Sequence, residues 1–399
     1  MKKILTLSLV LCFVLADEFF EPKTSIGGYG EMHWDMTEDS NTNLDFHRFI
    51  VYFKHQFSPE WSMMSEVEIE HNMVGSEASL GYGDDNTYNK KYKGGYVAME
   101  QAHLNYWNGN WGFQGGVLLI PSGIINEYHE PPTFMSVERP EYNKYVIPTT
   151  WFDNGFAFYG AMGDFNWKVA MTGDMDGDKI DDGIRSARRK GHYSRTDSWT
   201  KTIQGSWTGM EGLKVGGSIT MNDAPTSEVE ASDEETINTW EYDEINDQWI
   251  NVATVIPAVE AVAAGTIGVN LTEFNATYSA NNIYARMEYG MIDYTNGPTN
   301  DNNILLKSTS GYYLDLGYNI ADLVGCDDSD LYLWTRMSSF NKNDDDIETE
   351  NNISLFGVTY KPLNNVSFKF EMGTHEKWDS DTGAMKENDV MRMGIGYMF

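Results

Sequence analysis

Hydrophobic and polar residues alternate along the last stretch of the chain, from Asp389 to Phe399. One face carries Met391, Met393, Ile395, Tyr397 and Phe399, and the other carries Arg392, Gly394, Gly396 and Met398. Side chains of a β-strand point alternately to opposite faces, so this stretch predicts a strand between hydrocarbon and a wet interior. The alternative is an edge strand of a soluble β-protein, but an exposed apolar row invites aggregation. Pairing of the last strand with the first one would close a barrel and remove that edge.

The same alternation recurs along the whole chain. In the predicted strand 61–71, Glu66, Glu68 and Glu70 share one face, and three carboxylates cannot face lipid. The dipeptide Asn108-Gly109 stands between two such runs and is a strong hairpin signal. We predict about sixteen strands of roughly ten residues, a length that crosses a bilayer at a tilt. They cover residues 26–36, 44–57, 61–71, 96–107, 111–120, 152–162, 165–173, 199–208, 213–221, 266–278, 283–294, 311–320, 331–340, 353–360, 366–375 and 389–399.

The connections between these runs alternate between short turns and long polar loops. This asymmetry is typical of outer-membrane barrels, whereas a soluble sandwich or propeller has no reason to sort its connections in this way. We therefore predict an all-β fold, an antiparallel up-and-down transmembrane β-barrel with a water-filled lumen. Within the longest loop, residues 252–265 are apolar and Ala-rich, and we expect a short helix there or part of the next strand.

Composition agrees with a barrel and not with membrane helices. The chain of 399 residues is 41% hydrophobic, and its mean hydropathy of -0.46 is too polar for a helical bundle. Lys2 and Lys3 precede an apolar stretch, which predicts a signal peptide cleaved after Ala16 and a barrel domain over 17–399. A retained anchor helix would be too short. A lipoprotein is disfavoured because bulky Leu11 precedes Cys12.

The formal net charge is -32, which excludes nucleic acid as a partner because phosphate binding needs surplus Lys and Arg. The acidic residues concentrate in segments 223–260 and 342–350, between strand-like runs, so most of this charge belongs to loops. Cys326 is the only cysteine after the predicted cleavage, so an intrachain disulfide is excluded.

The Pro-rich segment 121–151 differs from the other loops because its prolines forbid regular pairing and its apolar residues need a packing partner. We expect it to fold into the lumen and narrow it. A structured outer loop packed on the rim is the alternative. Its charged residues would set the field at the constriction: Glu127, His129, Glu130, Glu138, Arg139 and Lys144.

Alternation along the strands also predicts which charged side chains line the lumen. The cations are Arg48, Lys54, Lys168, Lys214, Arg286, Arg336, Lys369 and Arg392, and the anions are Glu66, Glu68, Glu70, Glu288 and Glu371. Opposite charges across a constriction create a transverse field that orients dipolar solutes, as suits a general diffusion pore. Some of these charges are expected to pair with each other and hold the wall.

A second candidate site is the segment DMDGDKIDD, residues 174–182. Asp174, Asp176, Asp178 and Asp182 surround a glycine that permits a sharp turn, and the spacing resembles the aspartate-rich repeat of thrombospondin type 3 modules. Calcium prefers six to eight oxygen ligands, so we name these residues as candidate Ca²⁺ ligands. The full EF-hand pattern is absent. The alternative is a solvated acidic loop balanced by the basic residues that follow it.

Three stretches resemble the phosphate-selective porin O/P family and its relatives in diverse bacteria. They are GGVLLIPSGIINEYHEPPTFMSVERPEYNKYVIPTTWFDNGF (115–156), LDFHRFIVYFKHQFSPEWSMMSEVEIEH (44–71) and GIRSARRKG (183–191). The resemblance implies a sixteen-stranded outer-membrane porin, often trimeric, that passes small anions or other hydrophilic solutes. The terminal Phe399 is similar to the signal read by the outer-membrane assembly machinery of Gram-negative bacteria. A basic ladder down the pore is missing from the predicted lumen, so phosphate selectivity is not carried over.

Motifs of enzymes are missing from the sequence: there is no nucleophile elbow, no Gly-rich phosphate loop and no Cys/His metal spacing. We therefore expect a porin in contact with outer-membrane lipid that acts by passive diffusion, is not an enzyme and requires no cofactor. Two alternatives stay open at this point. One is a barrel enzyme that hydrolyses lipid or peptide, and the other is a plugged structural or adhesin barrel whose acidic loops bind Ca²⁺.

Overall fold

The structure of the protein is a computed structural model. It describes residues 20–37, 42–72, 95–181, 183–233, 235–243, 248–256, 258, 261–300, 302–326 and 328–399. The predicted signal peptide, with its cleavage after Ala16, lies outside the described residues. Within them no helix is both long enough and apolar enough to cross a membrane.

Strands make up most of the described chain, because alternating sequences with β-branched and aromatic residues favour extended backbone. The strands are β1 (Lys23–Thr37), β2 (Asn43–Gln56), β3 (Trp61–Glu70), β4 (Val97–Trp107), β5 (Trp111–Leu119), β6 (Phe152–Met162), β7 (Phe165–Thr172), β8 (Thr200–Met210), β9 (Leu213–Pro225), β10 (Glu235–Asp243), β11 (Gln248–Ile256), β12 (Thr266–Ala280), β13 (Ile283–Thr295), β14 (Ser308–Asn319), β15 (Asp330–Asn341), β16 (Glu350–Leu363), β17 (Val366–Asp379) and β18 (Ala384–Met398). The helices are α1 (Ile124–Glu127), α2 (Tyr142–Tyr145) and α3 (Ala321–Val324), with 3-10 turns at Pro131–Thr133, Gly177–Lys179 and Ile347–Thr349.

Sixteen of the described strands, all except β10 and β11, form one closed antiparallel barrel. The closing contact pairs β1 with β18, with Tyr29 opposite Met398 and Thr37 opposite Val390. At the end of this seam, Gly28 and Phe399 exchange two backbone hydrogen bonds of 3.0 and 2.9 Å. The prediction of a barrel closed by the last strand is therefore confirmed, and so is the number of strands.

The strands β10 and β11 pair only with each other and form a two-stranded hairpin in the longest loop. Residues 252–256 belong to β11, and the other described residues of 252–265 lie in neither a helix nor β12, so the expectation of a short helix or an extension of the next strand is wrong for the part of this segment that the structure describes. The expectation followed the Ala-rich later part of the segment, but the residues that pair in β11, Val252 to Ile256, are mostly β-branched, and this composition favours a strand.

The two faces of the barrel wall differ in chemistry. Along β6, Phe156 and Phe158 are exposed on the outside, whereas Ala157 between them is buried on the inside. Charged side chains such as Glu288 and Arg336 are fully buried and face inward. An apolar outer surface that extends around the barrel requires an apolar surrounding, because water would otherwise favour its aggregation.

The two ends of the barrel are distinguished by their connections. One end, called the turn end here, carries the start of β1, the end of β18 and the short connections 57–60, 108–110, 163–164, 211–212, 281–282 and 364–365. The opposite end, called the loop end, carries the long connections 71–96, 120–151, 173–199 and 226–265. Two connections differ from this pattern, since 380–383 at the loop end is short and 320–329 at the turn end is longer. The sorting expected from the sequence is present for the other connections named here.

Candidate functional site

The connection between β5 and β6, residues 120–151, lies inside the barrel and is called the first inward loop here. Its short helices α1 and α2 place Ile125, Tyr142 and Ile147 in a fully buried apolar cluster. The wall contributes Leu271 and Tyr313 to the same cluster. Burial of these side chains supplies the partner that the apolar residues of this loop require.

Buried charges on the wall bind the backbone of this loop. The carboxylate of Glu288 accepts a hydrogen bond from the amide of Ile124 at 3.0 Å, and that of Glu371 accepts one from Val137 at 2.8 Å. The ammonium of Lys369 donates to the carbonyls of Pro131 and Ser136 at 2.6 and 2.7 Å. A loop rich in proline leaves many backbone groups unpaired, and these wall charges satisfy several of them.

Further donors of the wall complete this attachment: Arg286 binds the carbonyl of Thr133, Lys361 that of Pro132, Thr359 that of Met135 and Arg336 that of Glu138.

Small residues on β18 allow the loop to approach closely. A Cβ added at Gly394 would stand 2.8 Å from a methyl group of Val137, and one at Gly396 would stand 2.4 Å from Pro131. The loop is therefore seated against β13 to β18 and does not rest on the rim.

A second inward loop, residues 173–199, packs onto the first. Its Ile184 and Ala187 are fully buried in the same apolar cluster. The guanidinium of Arg188 binds the carbonyl oxygens of Thr149 and Thr150 in the first inward loop. Sequence reasoning missed this role, although apolar residues spaced through an otherwise charged loop were a signal for it.

The charged wall residues expected in the lumen fall into two groups in the structure. Arg286, Arg336, Lys369, Glu288 and Glu371 are buried beneath the first inward loop, and Arg336 also borders the cavity near the loop end. The others reach cavities or loop side chains. Arg48, Glu70 and Arg392 line a cavity near the loop end, and Lys54, Glu66 and Lys168 line a cavity toward the turn end. The ammonium of Lys214 lies 5.0 Å from the ring centre of Tyr128, and Glu68 is buried beside Arg48.

The cavity near the loop end has a volume of about 690 Å³. Its lining includes seven Lys or Arg side chains but only four carboxylates, although the chain as a whole carries a net charge of -32. Its cations come from the wall and from both inward loops: Arg48, Arg139, Lys144, Arg185, Lys190, Arg336 and Arg392. Arg48, Arg336 and Arg392 are paired with carboxylates of the wall, so the remaining excess of positive charge comes from the four cations of the two inward loops. This excess arises only in the assembled lumen, because each loop contributes two of these side chains.

Two cavities lie toward the turn end. The smaller, of about 210 Å³, is lined by Lys54, Lys168 and four acidic or His side chains of the constriction: Glu66, Glu127, His129 and Glu130. The larger, of about 650 Å³, extends to Phe20 and Glu21, just before β1. Lys168 and Glu127 form an ion pair of 3.6 Å between the wall and the first inward loop. Charges of both signs thus lie on both sides of the loop.

Ion pairs join the loop to the wall at the constriction. The Nδ1 atom of His33 lies 2.5 Å from the carboxylate of Glu138. Burial by itself would raise the pKa of Glu138, but the charge and hydrogen bond of His33 hold it well below its usual value. Next to them, Arg48 lies 2.6 Å from Glu31 and 3.3 Å from Glu68.

His129 lies at the centre of a buried acidic group. Its Nε2 atom is 3.4 Å from the carboxylate of Glu100 and 3.6 Å from that of Glu66. Burial lowers the pKa of His129, but these two carboxylates raise it to about 10. Simple alternation missed Glu100, because a β-bulge between β3 and β4 changes the register there and brings Glu100 inward beside Gln101.

The candidate calcium ligands do not converge. Asp174 accepts hydrogen bonds from the amide of Asp197 at 2.6 Å and from Asn222 at 2.9 Å. Asp176 pairs with Lys179 and Arg189, and Asp178 accepts from the amide of Ser227 at 2.8 Å. Asp182 lies outside the described residues. Each described carboxylate has its own protein partner, so calcium binding stays a prediction.

No model of a known protein family matches the chain. A protein of Aquifex aeolicus (strain VF5) that carries the description "Uncharacterized protein" is 29% identical over 391 residues, which cover 94% of this chain and 80% of that protein. The resemblance to the phosphate-selective porin O/P family therefore stays a prediction.

Solved structures of outer-membrane proteins share the fold. A loop L8 deletion mutant of OmpT, an outer membrane protein of Vibrio cholerae, is similar with a TM-score of 0.56 at 12% identity, covering 95% of this chain and 99% of that one. A trimer form of OmpT gives 0.50 at 11% identity, covering 95% and 100%. An anion-selective porin from Comamonas acidovorans gives 0.55 at 8% identity, again covering 95% and 100%. The barrel shares the fold of these outer-membrane barrels, and identities this low establish the fold alone.

Proposed function

We propose that the protein is an outer-membrane porin that passes small hydrophilic solutes by passive diffusion and favours anions. One observation carries this proposal: inside a closed barrel of porin type, an inward loop leaves cavities on both of its sides, and seven cations against four carboxylates line the one at the loop end. Such a lining raises the local concentration of anions and so favours their entry.

In this proposal the charged side chains of the wall and those of the inward loops have different roles. The buried charges on β13 to β18 hold the first inward loop, and their partners are mostly loop backbone groups. The cations that bear on a solute are those of the cavity lining, above all Arg139, Lys144, Arg185 and Lys190 on the two inward loops. Catalysis has no part in this mechanism, since width and field decide what passes.

The matching experiment measures ion selectivity directly. The purified protein is placed in planar bilayers, and the reversal potential is recorded in a gradient of KCl. We expect ohmic single-channel steps and a potential of the sign for anion preference. Lys190→Gln shifts this potential toward cation preference. The matched control Lys179→Gln lies on the same inward loop but outside the cavity lining, and it leaves the potential unchanged.

Cation preference of the unmodified protein would overturn the anion proposal, and identical potentials for Lys190→Gln and Lys179→Gln would remove the loop cations from it. Stable conductance without charge preference would leave only the diffusion pore. Neutralising Glu70, which lines the same cavity, is expected to increase the preference for anions.

Location and assembly follow from the same proposal. The exposed apolar face of the barrel fits outer-membrane lipid, with the loop end outside the cell and the turn end in the periplasm. The terminal strand with Phe399 would be recognised by the assembly machinery after signal-peptide cleavage near Ala16. A homotrimer is supported by the trimer form of the similar OmpT barrel. Cross-linking in detergent followed by mass measurement tests the trimer.

A plugged barrel is the second candidate function, because both inward loops share one buried apolar cluster with the wall. Such a protein would present its acidic loops to partners and conduct nothing. The bilayer experiment separates the two: absence of conductance from a correctly folded barrel, shown by heat-modifiable migration, would favour the plugged barrel.

A further inference from the structure

Three side chains from three segments meet in the lumen with their polar atoms facing one another. Glu66 comes from β3, Glu100 from the bulge of β4 and His129 from the first inward loop. One oxygen of each carboxylate and one nitrogen of the imidazole lie within 4.8 Å of one another. Glu66, Glu100 and His129 are 1%, 0% and 2% exposed, so water contributes little to the stability of their charges.

Neighbouring groups turn these atoms toward a common point. His129 donates from Nδ1 to the carbonyl of Asn126 at 3.1 Å, which orients the ring so that Nε2 faces the two carboxylates. A metal ion at this point would take the place of any proton on Nε2. Gln101 donates to Oε2 of Glu66 at 2.6 Å, which leaves Oε1 directed at the imidazole. Within the described residues, Nε2 of His129, Oε1 of Glu66 and both oxygens of Glu100 have no hydrogen-bond partner.

The spacing fits a shared ion better than hydrogen bonds. The Nε2 atom of His129 lies 3.4 Å from Glu100 and 3.6 Å from Glu66. A charge-assisted N–H···O bond would be about 2.7–2.9 Å long. In a tetrahedral shell with ligands at about 2.1 Å, two ligand atoms lie about 3.4 Å apart. Both separations from Nε2 are close to that spacing, and the carboxylate oxygens lie within 4.8 Å of each other.

We propose that Glu66, Glu100 and His129 bind a divalent first-row transition-metal ion, with Zn²⁺ as the best-matched ion. An imidazole ligand favours such ions over Ca²⁺ and Mg²⁺, which prefer oxygen ligands. Three protein ligands leave a fourth position open. Glu66 and His129 also line the cavity of about 210 Å³ toward the turn end, which supplies an entry path.

Among the described residues, two other groups of potential ligands lack unpartnered atoms of this kind. In the group of His33, His47 and Glu138, both nitrogens of His33 already bind carboxylates, at 2.5 and 3.2 Å. In the group around Asp45, the carboxylate is shared by His47 and His71 at 3.0 and 2.8 Å. Hydrogen bonds already satisfy these atoms, so the site at His129 is distinguished by its unpartnered buried atoms.

An ion at this site would join the first inward loop to the wall. His129 follows α1 in the loop, whereas Glu66 and Glu100 are fixed by the pairing of β3 with β4. The wall charges described above hold the loop against β13 to β18, on other strands of the barrel. The metal would attach the loop to the opposite part of the wall and so fix the width of the remaining opening.

The test uses the full-length barrel in detergent after EDTA treatment, with Zn²⁺ as the probe in calorimetry and metal analysis. We expect one Zn²⁺ per barrel. Glu100→Gln and His129→Asn are each expected to weaken binding by about 100-fold or more, since loss of an outer partner alone costs about 10–100-fold. The matched control His103→Asn, another buried inward His on β4, leaves Zn²⁺ affinity unchanged.

X-ray absorption of the zinc-loaded unmodified protein needs no variant. It is expected to show one imidazole and oxygen ligands at about 2.0–2.1 Å. Failure of the unmodified protein to bind Zn²⁺ at micromolar concentration, a spectrum without imidazole, or equal binding by His129→Asn would each overturn the proposal. None of these measurements depends on conductance, so they stand or fall separately from the proposed pore.

Discussion

Lys369 is the wall residue whose removal should most clearly release the first inward loop. Its ammonium donates to the carbonyls of Pro131 and Ser136 and lies 3.8 Å from the ring centre of Phe134. Each charge-assisted hydrogen bond contributes about 1.5–3 kcal/mol, and a desolvated cation–π contact contributes about 2 kcal/mol. These contributions overlap because the groups are neighbours, so we take about 3 kcal/mol as the loss in Lys369→Met.

Such a loss raises the population of the undocked loop on the order of 100-fold, since each 1.36 kcal/mol is a factor of ten. The remaining wall contacts still hold the loop most of the time. The effect should therefore be visible in rare openings and not in the average structure. Methionine fills a similar volume, so the barrel itself should keep its strand pairing.

Limited proteolysis with a Glu-specific protease measures these openings, because cleavage follows the open population when opening and closing are fast. Cleavage after Glu138, identified by mass spectrometry, is expected to be about 100 times faster in Lys369→Met. The matched control is Lys54→Met, which removes another lumen-facing ammonium that lies over the wall residue Tyr52. Equal cleavage rates in the two variants, with both barrels folded, would show that Lys369 does not hold the first inward loop against the wall.

Three further predictions concern the same assembly. Gly396→Val should displace the loop, because its Cβ would stand 2.4 Å from a loop proline; faster hydrogen exchange of loop amides measures this. Arg336→Met should destabilise the barrel by about 3–5 kcal/mol, because it leaves the carboxylate of Asp315 buried without its bidentate partner, bound at 2.6 and 2.7 Å. Urea unfolding followed by Trp fluorescence should show this loss, and the double variant with Asp315→Asn should recover part of it. The pKa of Glu138 is depressed by His33, so its contribution to stability is present above about pH 4.5 and disappears as the pH falls further. Glu138→Gln should therefore lower the thermal midpoint at pH 7, and the difference from the unmodified protein should shrink in acid.

Local sequence pattern predicted the wall of this protein well because each strand residue faces either the apolar or the aqueous side. Each predicted strand overlaps a strand of the barrel, and the position of Met393 outside and Gly394 inside follows from period two alone. The hairpin of β10 and β11 was missed, since its pairing depends on a cross-strand partner and not on a lipid-facing pattern. Glu100 was missed for a related reason, because a bulge interrupts the period.

The interior depended on contacts that no local pattern contains. Alternation placed Lys369 and Glu371 inward, but only the folded chain shows that they bind loop carbonyls and amides more than a hundred residues away in sequence. The hydrogen bonds from Arg188 to Thr149 and Thr150 depend equally on two loops meeting in the lumen.

The sequence by itself determined the closed barrel. A repeated two-residue period gives each strand one apolar and one polar face, and closure of the sheet pairs every backbone group while these faces meet lipid and water. The tertiary structure alone decided what the lumen contains. It decided which charged side chains bind the inward loops and which line the cavities, and it brought His129 close to Glu66 and Glu100. The physical reason is that strand alternation is a local property of the backbone. The field inside a barrel, in contrast, sums charges from segments that only folding brings together.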